Sequence, residues 1–465
     1  MALMMKSARL VAAAVLIPSA VLLAQQNSTA PQPRANALSA VGPAQPKFGR
    51  PVPRPDGMLP KVPEGFTVSV YAELEAPRMM VYAPNGDLFV SSPAANSITV
   101  LRDANNDGRI ADSEKSVFAQ GAPPPGRAGG GGRRGGGPPP APPAAAPAAV
   151  NPTINGPLLG ASAPACAAPP GDFVNKGAGQ IAAPFGLAFN NGYLYVGNTA
   201  SLVRVKYATG DLKATGEPEK LMDLPNGGHS TRNVTFNRAG TKMYVAVGSQ
   251  SNNNAGEDCR RAAILEFNPD GSGYRVFASG IRNPVGLAWQ PGSDTLWTAM
   301  NERDNLGDNL VPDYATSVKD GGFYGWPYSY IGKNPDPRYQ GAFPDLVNRA
   351  IVPDVLLPAH SAALGLTFYD GTQFPQRYRN GAFVALHGSW NRSVAAGYKV
   401  VFVPMANGRP GPIEDFVSNM LVSNGENGSA IEAWGRPVGV TVARDGSLLV
   451  SDDGSNVIWK VSVKK

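Results

Sequence analysis

The chain has 465 residues, of which 43% are hydrophobic and 16% are charged, and its formal net charge is +6. A chain of this length and composition can form one large globular domain or two ordinary ones around a sizeable core. The positive charge is spread along the sequence without a run of Lys and Arg among aromatic residues, so nucleic-acid binding is not indicated. An anionic cofactor is compatible with this charge.

The N-terminal segment has the pattern of a secretory leader. Lys6 and Arg9 precede an apolar run from Leu10 to Leu23. This pattern predicts a signal peptide over residues 1–24, with an uncleaved membrane anchor as the alternative. No later apolar run is long enough to span a bilayer. We therefore expect a periplasmic or secreted protein, whose residues 25–60, rich in Pro, Ala and Gln, form a flexible N-terminal segment.

Residues 103–114, DANNDGRIADSE, match the calcium-binding loop of an EF-hand at every required position. Gly108 would form the sharp turn, and the ligands would be side-chain oxygens and one backbone carbonyl. The flanking segments SITVL and KSVFA read as strands, so no pair of helices could open on binding. We therefore expect a structural calcium site between two outer strands, with a plain acidic turn as the alternative. The predicted metal ligands are Asp103, Asn105, Asp107, Arg109 and Glu114.

Residues 121–172 are dominated by Gly, Pro and Ala. Such a composition buries too little apolar area to offset chain entropy, so it predicts a disordered insertion on the surface of the protein.

The chain has two cysteines, Cys166 and Cys259. An oxidising compartment would permit a disulfide between them, and the sequence leaves their pairing open.

Six similar units recur along the rest of the chain, each with an apolar strand, a turn and a second apolar strand. Hydrophobic residues alternate with period two, and helix patterns are scarce. Repeated four-stranded units predict an all-β chain folded as a six-bladed β-propeller, with a β-sandwich as the alternative. We expect FTVSVYAEL, residues 66–74, to pair with the last blade and close the ring. The units are MMVYAPNGDLFVSS, FGLAFNNGYLYVGN, RNVTFNRAGTKMYVAVGS, VGLAWQPGSDTLWTAM, LGLTFYDGTQFPQRYRNGAFVALHGS and VGVTVARDGSLLVSD.

The three histidines of the chain each lie where an inner strand begins or ends. His229 is in NGGHSTRNVTF, His360 in PAHSAALGLTF and His387 in FVALHGSWNR. Strand ends of a propeller converge on its central channel, so these positions point to a site. His229 is the strongest candidate because it follows two glycines in a loop that also holds an Arg and an Asn. A buried structural histidine is the alternative for each of the three.

Arginines form the second group of candidates. Arg282 and Asn283 in GIRNPVGLAW begin an inner strand, and a guanidinium held there can bind carboxylates through two parallel hydrogen bonds. The acidic loop NERDNLGDNLVPDY could bind a cation or be an ordinary solvated connection. We expect Arg392 and Arg436 at equivalent places in blades five and six. Several arginines around one channel suggest a polyanionic ligand.

These motifs together resemble the glucose/sorbosone dehydrogenase family, in particular its sorbosone-dehydrogenase-like branch. The resemblance covers most of residues 61–465 apart from the insertion, and RNPVGLAW and YGWP are its more specific elements. It implies a six-bladed propeller that uses pyrroloquinoline quinone (PQQ) and calcium. It also implies oxidation of a sugar or a sugar-derived aldehyde, with an external electron acceptor. The motifs are GHSTRNVTF, GIRNPVGLAW, NERDNLGD, GGFYGWPY, HSAALGLTFY and RPVGV followed by DGSLLVSDD.

The resemblance implies a role for each candidate near the quinone. His229 matches the general base that removes a proton from the sugar hydroxyl while hydride passes to the quinone. Imidazole suits this role because its ordinary pKa lies near neutrality. Arg282 and Asn283 match the pair that contacts the quinone oxygens, where Arg stabilises the charge that develops on reduction. Arg303 and Asp304 fall where the family offers backbone carbonyls to a catalytic calcium.

The remaining candidates concern the carboxylates of the cofactor. Arg436 matches a cofactor-carboxylate partner, and Arg392, with Lys399 second, is the expected equivalent of a cofactor-contacting Lys. Two positions differ from the glucose-oxidising members: Arg303–Asp304 replaces Gly-Pro, and Val438 stands where those members have a further Arg. The alternative functions are a calcium-dependent, lactonase-like hydrolase and a non-catalytic propeller that binds sugars or proteins.

Overall fold

The computed structural model describes residues 49–122 and 176–464, together with Lys47. The predicted signal peptide and all but the first two residues of the predicted insertion lie outside the described residues. Of the predicted flexible segment 25–60, the described part includes Arg50–Pro51, which pairs in parallel with Ile431–Ala433. Cys259 is disulfide-bonded, and its candidate partner, Cys166, lies outside the described residues.

The described residues form six sheets of four or five strands, which are the six blades of a propeller. From the innermost strand outward, blade 1 consists of Met80–Tyr82, Leu88–Ser92, Ser97–Leu101 and Lys115–Gln120. Blade 2 consists of Pro184–Asn190, Tyr193–Asn198, Ser201–Lys206, Glu219–Asp223 and Gly177–Ala178. Blade 3 consists of Val234–Phe236, Met243–Val247, Ala263–Phe267, Arg275–Ser279 and Gly322–Phe323.

The other three blades follow the same antiparallel order. Blade 4 consists of Asn283–Trp289, Leu296–Asn301, Pro312–Ser317 and Val355–Ala359. Blade 5 consists of Ala363–Phe368, Ala382–Leu386, Lys399–Val403 and Glu414–Val417. Blade 6 consists of Pro437–Val442, Leu448–Asp452, Val457–Val463 and Phe66–Glu73. Smaller elements are the strands Ser329–Tyr330, Asn334–Pro335, Met405–Ala406, Arg409–Pro410 and Leu421–Asn424, the helix Pro344–Asn348, and the short 3-10 turns Asp112–Glu114, Pro337–Tyr339, Gln376–Tyr378 and Glu426–Gly428.

The ring is closed by the innermost strands and by the N-terminal strand. The innermost strand of each blade contacts the innermost strands of both neighbouring blades, including blade 1 against blade 6. Phe66–Glu73 pairs antiparallel with Val457–Val463, which confirms the pairing predicted for residues 66–74. Phe66 is buried, and its ring meets the rings of Phe374 at 4.8 Å and Phe416 at 5.2 Å in edge-to-face geometry. The six-bladed propeller predicted from the repeats is therefore confirmed.

The turns between strands follow from local sequence. Asn190 is paired with Tyr193, so Asn191 and Gly192 form a two-residue hairpin loop. Their φ angles are 45° and 76°, the left-handed conformation in which Asn and Gly are the residues best tolerated. The strand Pro312–Ser317, whose first three residues belong to the stretch predicted as an acidic loop, was not predicted and is the third strand of blade 4. Its Pro and Asp interrupt the period-two alternation of apolar residues by which the predicted strands were recognised.

The middle of the ring is apolar. Phe185, Val285, Leu364 and Val438, each from the innermost strand of a different blade, pack together as a separate buried cluster with Met79. Val438 is fully buried in this cluster. An Arg at position 438 would place a charge among apolar side chains, so Val suits the packing at this position.

Candidate active site

The predicted catalytic and cofactor-binding residues lie at the end of the ring where first strands begin and second strands end. Because neighbouring strands of a blade are antiparallel, these two kinds of strand end share one side of the propeller. His229, Arg282 and Arg436 precede first strands, whereas Arg303 and His387 follow second strands. We call this end the channel mouth, and the apolar cluster around Val438 is its floor.

His229 is held as a neutral imidazole at the channel mouth. Its Nδ1 lies 2.8 Å from the backbone oxygen of Ser249, and a carbonyl can only accept, so Nδ1 carries the proton. Nε2, which makes no hydrogen bond within the described ranges, is left with a lone pair. Burial, followed by the charge of Arg282, lowers the pKa of His229 to about 3. Gly248 permits this arrangement, because a Cβ there would lie 2.7 Å from the Cβ of His229 and 2.2 Å from Oδ1 of Asn283.

Arg282 is buried and fixed mainly by backbone carbonyls. Its Nε donates to the oxygen of Asn252 at 2.8 Å, and Nη1 donates to the oxygen of Glu302 at 2.7 Å. Its Nη2 lies 3.5 Å from a carboxylate oxygen of Asp304. The neighbouring Asn283 donates through Nδ2 to Asn301 at 3.1 Å, whereas its buried Oδ1 has no partner among the described residues. Asn283 therefore offers one free acceptor within the described part of the site.

Asp304 lies in a buried ion-pair network that includes His360. His360 donates through Nδ1 to Asp304 Oδ1 at 3.2 Å and through Nε2 to the oxygen of Gly307 at 2.9 Å. Both partners are acceptors, so the ring is an imidazolium. Burial alone would lower the pKa of His360, but Asp304 outweighs it and raises that pKa. Behind this pair, burial raises the pKa of Asp313 to about 7.

Arg303 points away from the channel mouth. Its fully buried guanidinium pairs with Glu302 at 2.8 Å and with Asp336 at 2.9 Å, and it also donates to the oxygens of Pro327 and Ser329. These contacts use both carboxylates to balance a buried charge. The side chain of Arg303 is thus committed to blade 4, and only its backbone could take part in the predicted cofactor site.

Arg392 and Arg436 do not occupy equivalent places, so this expectation was wrong. Arg436 directly precedes the first strand of blade 6, whereas Arg392 lies in the loop after the second strand of blade 5. Arg392 donates to the backbone oxygen of Asp308 at 2.7 Å, and its buried Nε has no partner in the described chain. Arg436 donates through Nε to the oxygen of His387 at 3.3 Å, and its guanidinium lies 5.9 Å from the centre of the Tyr398 ring. Neither arginine has a carboxylate within 4.0 Å among the described side chains.

His387 forms a second polar group that the sequence reasoning ranked low. Its Nε2 lies 2.8 Å from Asp453 Oδ1, and Asp453 also pairs with Arg78. Burial, followed by the charge of Arg436, lowers the pKa of His387 to about 4. Burial would raise the pKa of Asp453, but His387 and Arg78 together hold it well below the ordinary range. The signal in the sequence was the repeated Asp in VSDD, where Asp453 directly follows the second strand of blade 6.

The 103–114 loop joins the third and fourth strands of blade 1, as expected, and so lies away from the channel mouth. Asp103 accepts the N–H groups of Asp107 at 3.1 Å and Gly108 at 2.9 Å, and Glu114 accepts those of Ala104 and Ala111. Across residues 49–122 and 176–464, no group of three or more His, Cys, Asp or Glu side chains is placed to hold a metal ion.

In that same part of the chain, no helix is both long and apolar enough to cross a membrane.

The fold and the site define a six-bladed propeller with a neutral histidine and several arginines at one mouth. Residues 195–389, which contain His229, Arg282 and Asp304, match the family model described as Glucose / Sorbosone dehydrogenase. Residues 346–464 match a model described as TrAA12-like. The match over residues 195–389 confirms the resemblance to the glucose/sorbosone dehydrogenase family that was found in the sequence.

Relatives of known sequence agree with this assignment. An uncharacterized protein of Borreliella burgdorferi is 29% identical over 61% of this chain and 76% of its own length. The pyrroloquinoline quinone-dependent pyranose dehydrogenase of Coprinopsis cinerea is 27% identical over 54% of this chain and 42% of its own length. An aldose sugar dehydrogenase of Escherichia coli is 27% identical over 34% of this chain and 45% of its own. The chain thus spans less than half the length of these two dehydrogenases.

Solved structures show the same fold. The PQQ domain of the Coprinopsis cinerea pyranose dehydrogenase, in its holo form, superposes with a TM-score of 0.63, covers 89% of this chain and all of that domain, and is 20% identical. The PQQ-bound aldose sugar dehydrogenase of Streptomyces coelicolor gives a TM-score of 0.52 at 16% identity, over 87% of this chain and 100% of that one. At these sequence identities the structural similarity establishes the propeller fold. The chemistry has to be argued from the side chains of this chain.

Proposed function

We propose that this protein is an exported, PQQ-dependent oxidoreductase that oxidises a sugar or a sugar-derived aldehyde. The observation that carries the proposal is the state of His229, a neutral imidazole with a fixed tautomer and a free Nε2 beside a buried guanidinium. The family match over residues 195–389, which include His229 and Arg282, supports the same chemistry. Sugar oxidation is the activity named for two of its relatives.

The residues at the channel mouth fit an anionic quinone. PQQ carries carboxylates and quinone oxygens, and it supplies the two-electron acceptor when bound. Arg392 and Arg436, which lack carboxylate partners among the described residues, would hold its carboxylates. The unpartnered Nε of Arg392 is a donor that such a ligand would satisfy. Arg282 and Asn283 would lie against the quinone.

The protein residues divide the chemistry between a base and an electrostatic partner. His229 takes the proton of the substrate hydroxyl at Nε2, because Nδ1 is occupied by Ser249. Arg282 stabilises the negative charge that develops on the acceptor, and its own position is fixed in advance by backbone carbonyls. The apolar floor excludes water from below the site.

Calcium enters the proposal at two places. The Asp304 carboxylate already faces Arg282 and His360, so a cation at this site would be held by the backbone carbonyls of Arg303 and Asp304. The carbonyl of Asp304 also accepts a hydrogen bond from Nδ2 of Asn252. At the 103–114 loop, the described carboxylates are not grouped around one point, so a calcium ion would have to draw them together as it binds. The loop supplies oxygen donors of the type that calcium prefers. Binding there would stabilise blade 1 and leave the redox site unchanged.

The site contacts favour oxidation over hydrolysis. A lactonase-like centre needs several free carboxylates or amides around one ion, yet Asp304 is paired with two cationic groups and Asp453 with an arginine and a histidine. The arginines at the mouth instead suit an anionic cofactor.

The proposal is tested by reconstitution. Purified protein would be titrated with PQQ in the presence and absence of calcium, and dye reduction would be assayed with aldoses and sugar-derived aldehydes. We expect PQQ binding at micromolar concentration or tighter, and turnover that falls about 100- to 10,000-fold in His229→Asn with PQQ still bound. Arg436→Gln should weaken PQQ binding, whereas the matched control Arg238→Gln, an exposed arginine, should not.

Two outcomes would overturn the proposal. Absence of PQQ binding at micromolar concentration would leave a non-catalytic propeller as the better interpretation. Lactone hydrolysis with calcium alone would identify a hydrolase. Localisation is checked separately by expressing the full chain in a Gram-negative host and measuring the protein in the periplasmic and cytoplasmic fractions.

A further inference from the structure

Three consecutive asparagines, residues 252–254, follow the second strand of blade 3 and face three different surroundings. Asn252 contacts the candidate active site, and Asn253 is buried and donates through Nδ2 to Asp336 at 2.9 Å. Asn254 is exposed, and its backbone N–H donates to the hydroxyl of Ser251. The same residue type therefore occurs three times in one loop with one member at the site.

Asn252 uses its side chain and its backbone carbonyl to hold two residues of the site. Its Oδ1 accepts from Nη2 of Arg282 at 3.1 Å and from the backbone N–H of Asp304 at 2.9 Å. Its Nδ2 donates to the backbone oxygen of Asp304 at 3.0 Å. Its backbone oxygen accepts from Nε of Arg282 and from the indole N–H of Trp326 at 2.9 Å. The residue thus bonds to both backbone groups of Asp304 and to two nitrogens of Arg282.

The same loop also holds the base. Ser249 accepts the Nδ1 proton of His229, and its backbone N–H donates to the oxygen of Arg282 at 2.7 Å. The hydroxyl of Ser249 donates to the backbone oxygen of Ser251, next to Asn252 in the chain. Glu257 stabilises the loop because its carboxylate accepts hydrogen bonds from the backbone N–H groups of Gln250 and Ser251. One short loop therefore sets the relative positions of His229, Arg282 and Asp304.

We propose that Asn252 is a positioning residue of the oxidation site, which acts through Arg282 and Asp304 rather than by touching the substrate. An amide is suited to this position because it both accepts from the guanidinium and donates to a carbonyl. Asp at 252 would keep the first contact and lose the second, and Ala would lose both. The inference rests on the proposed function for its kinetic consequence, whereas the effect on Arg282 is independent of it.

The kinetic test compares Asn252→Ala with the two neighbouring variants. Asn252→Ala should lower kcat about 10- to 100-fold with a KM for the sugar within about threefold of the parent, because misplaced catalytic groups cost rate more than binding. Asn254→Ala, which removes an exposed amide from the same loop, should leave kcat and KM unchanged. Asn253→Ala should lower the melting temperature because it removes a buried partner of Asp336. Asn252→Asp should fall between Asn252→Ala and the parent.

A second measurement uses the apo-protein and does not depend on activity. Solvent exchange of the Arg282 Nε–H, followed by NMR, should be at least about tenfold faster in Asn252→Ala than in Asn254→Ala, because the loop that carries its acceptor is released. Unchanged exchange, or a kcat equal to that of the parent, would overturn the proposal. A kcat loss in Asn252→Ala accompanied by a melting-temperature drop as large as that of Asn253→Ala would also reject it. If the Arg282 Nε–H exchanges faster in Asn252→Ala but the parent protein oxidises no sugar, the role of Asn252 in positioning Arg282 stands and the proposed function is rejected.

Discussion

The three histidines of this chain should titrate in three different ways when the pH is lowered from 8 to 5. His229 has a pKa of about 3 because it is buried next to Arg282, so about 1% of it should be protonated at pH 5. An imidazole with the ordinary pKa of about 6.5 would be about 97% protonated at that pH. His387, with a pKa of about 4, should be about 10% protonated. His360 should stay charged at pH 6.5 because Asp304 raises its pKa.

The assay is a long-range proton–nitrogen NMR titration of the apo-protein. Only three imidazole systems occur in the chain, and the variants His229→Gln, His360→Gln and His387→Gln assign them. His229 should show one protonated and one unprotonated nitrogen throughout, with the proton on Nδ1. Arg282→Gln is the informative perturbation: it should raise the pKa of His229, but burial, the larger cause, should keep that pKa below 6.5.

The same shifts give opposite contributions to stability. The unfolded chain binds a proton at position 229 below pH 6.5 while the folded chain does not, so this group lowers stability as the pH falls from 6.5 towards 3. His360 contributes stability that is present below pH 6.5 and is lost as the pH rises through its raised pKa. A His229 signal that titrates with a midpoint near 6.5 would refute the reasoning, because it would show an imidazole without the described burial.

Three further predictions concern stability. Phe66→Ala should lower the free energy of unfolding by about 3–5 kcal/mol in urea denaturation, because the ring anchors the strand that closes the propeller, and a loss below about 1 kcal/mol would contradict this. Asp336→Ala should cost about 3–5 kcal/mol because it leaves the buried Arg303 underbalanced, and an unchanged denaturation midpoint would show that Glu302 alone suffices. The double variant Asp103→Ala, Glu114→Ala should abolish the calcium-dependent rise in melting temperature while PQQ affinity stays constant, and equal loss of both would place that loop at the active site.

The repeat pattern was enough to predict the architecture. Period-two strands and Gly-containing turns are local properties, so the six units and the closing strand 66–74 could be read directly from the sequence. Pro312–Ser317 was missed because this strand lies in an acidic, Pro-containing stretch without a clear alternation. Its pairing is decided by the neighbouring strand Leu296–Asn301, which the local sequence does not contain.

The types of residue at the site were also visible in the sequence, whereas their contacts were decided by the tertiary structure. His229 and Arg282 stood out as a rare histidine and an arginine at strand entrances. The sequence could not show that Arg303 turns into blade 4 or that His360 is charged by Asp304, because these partners lie far apart in the chain. Nor could it show that Asn252, rather than Asn253 or Asn254, reaches Arg282. Residue identity sets the available chemistry, and only the packing of distant loops sets the distances on which charge and hydrogen bonding depend.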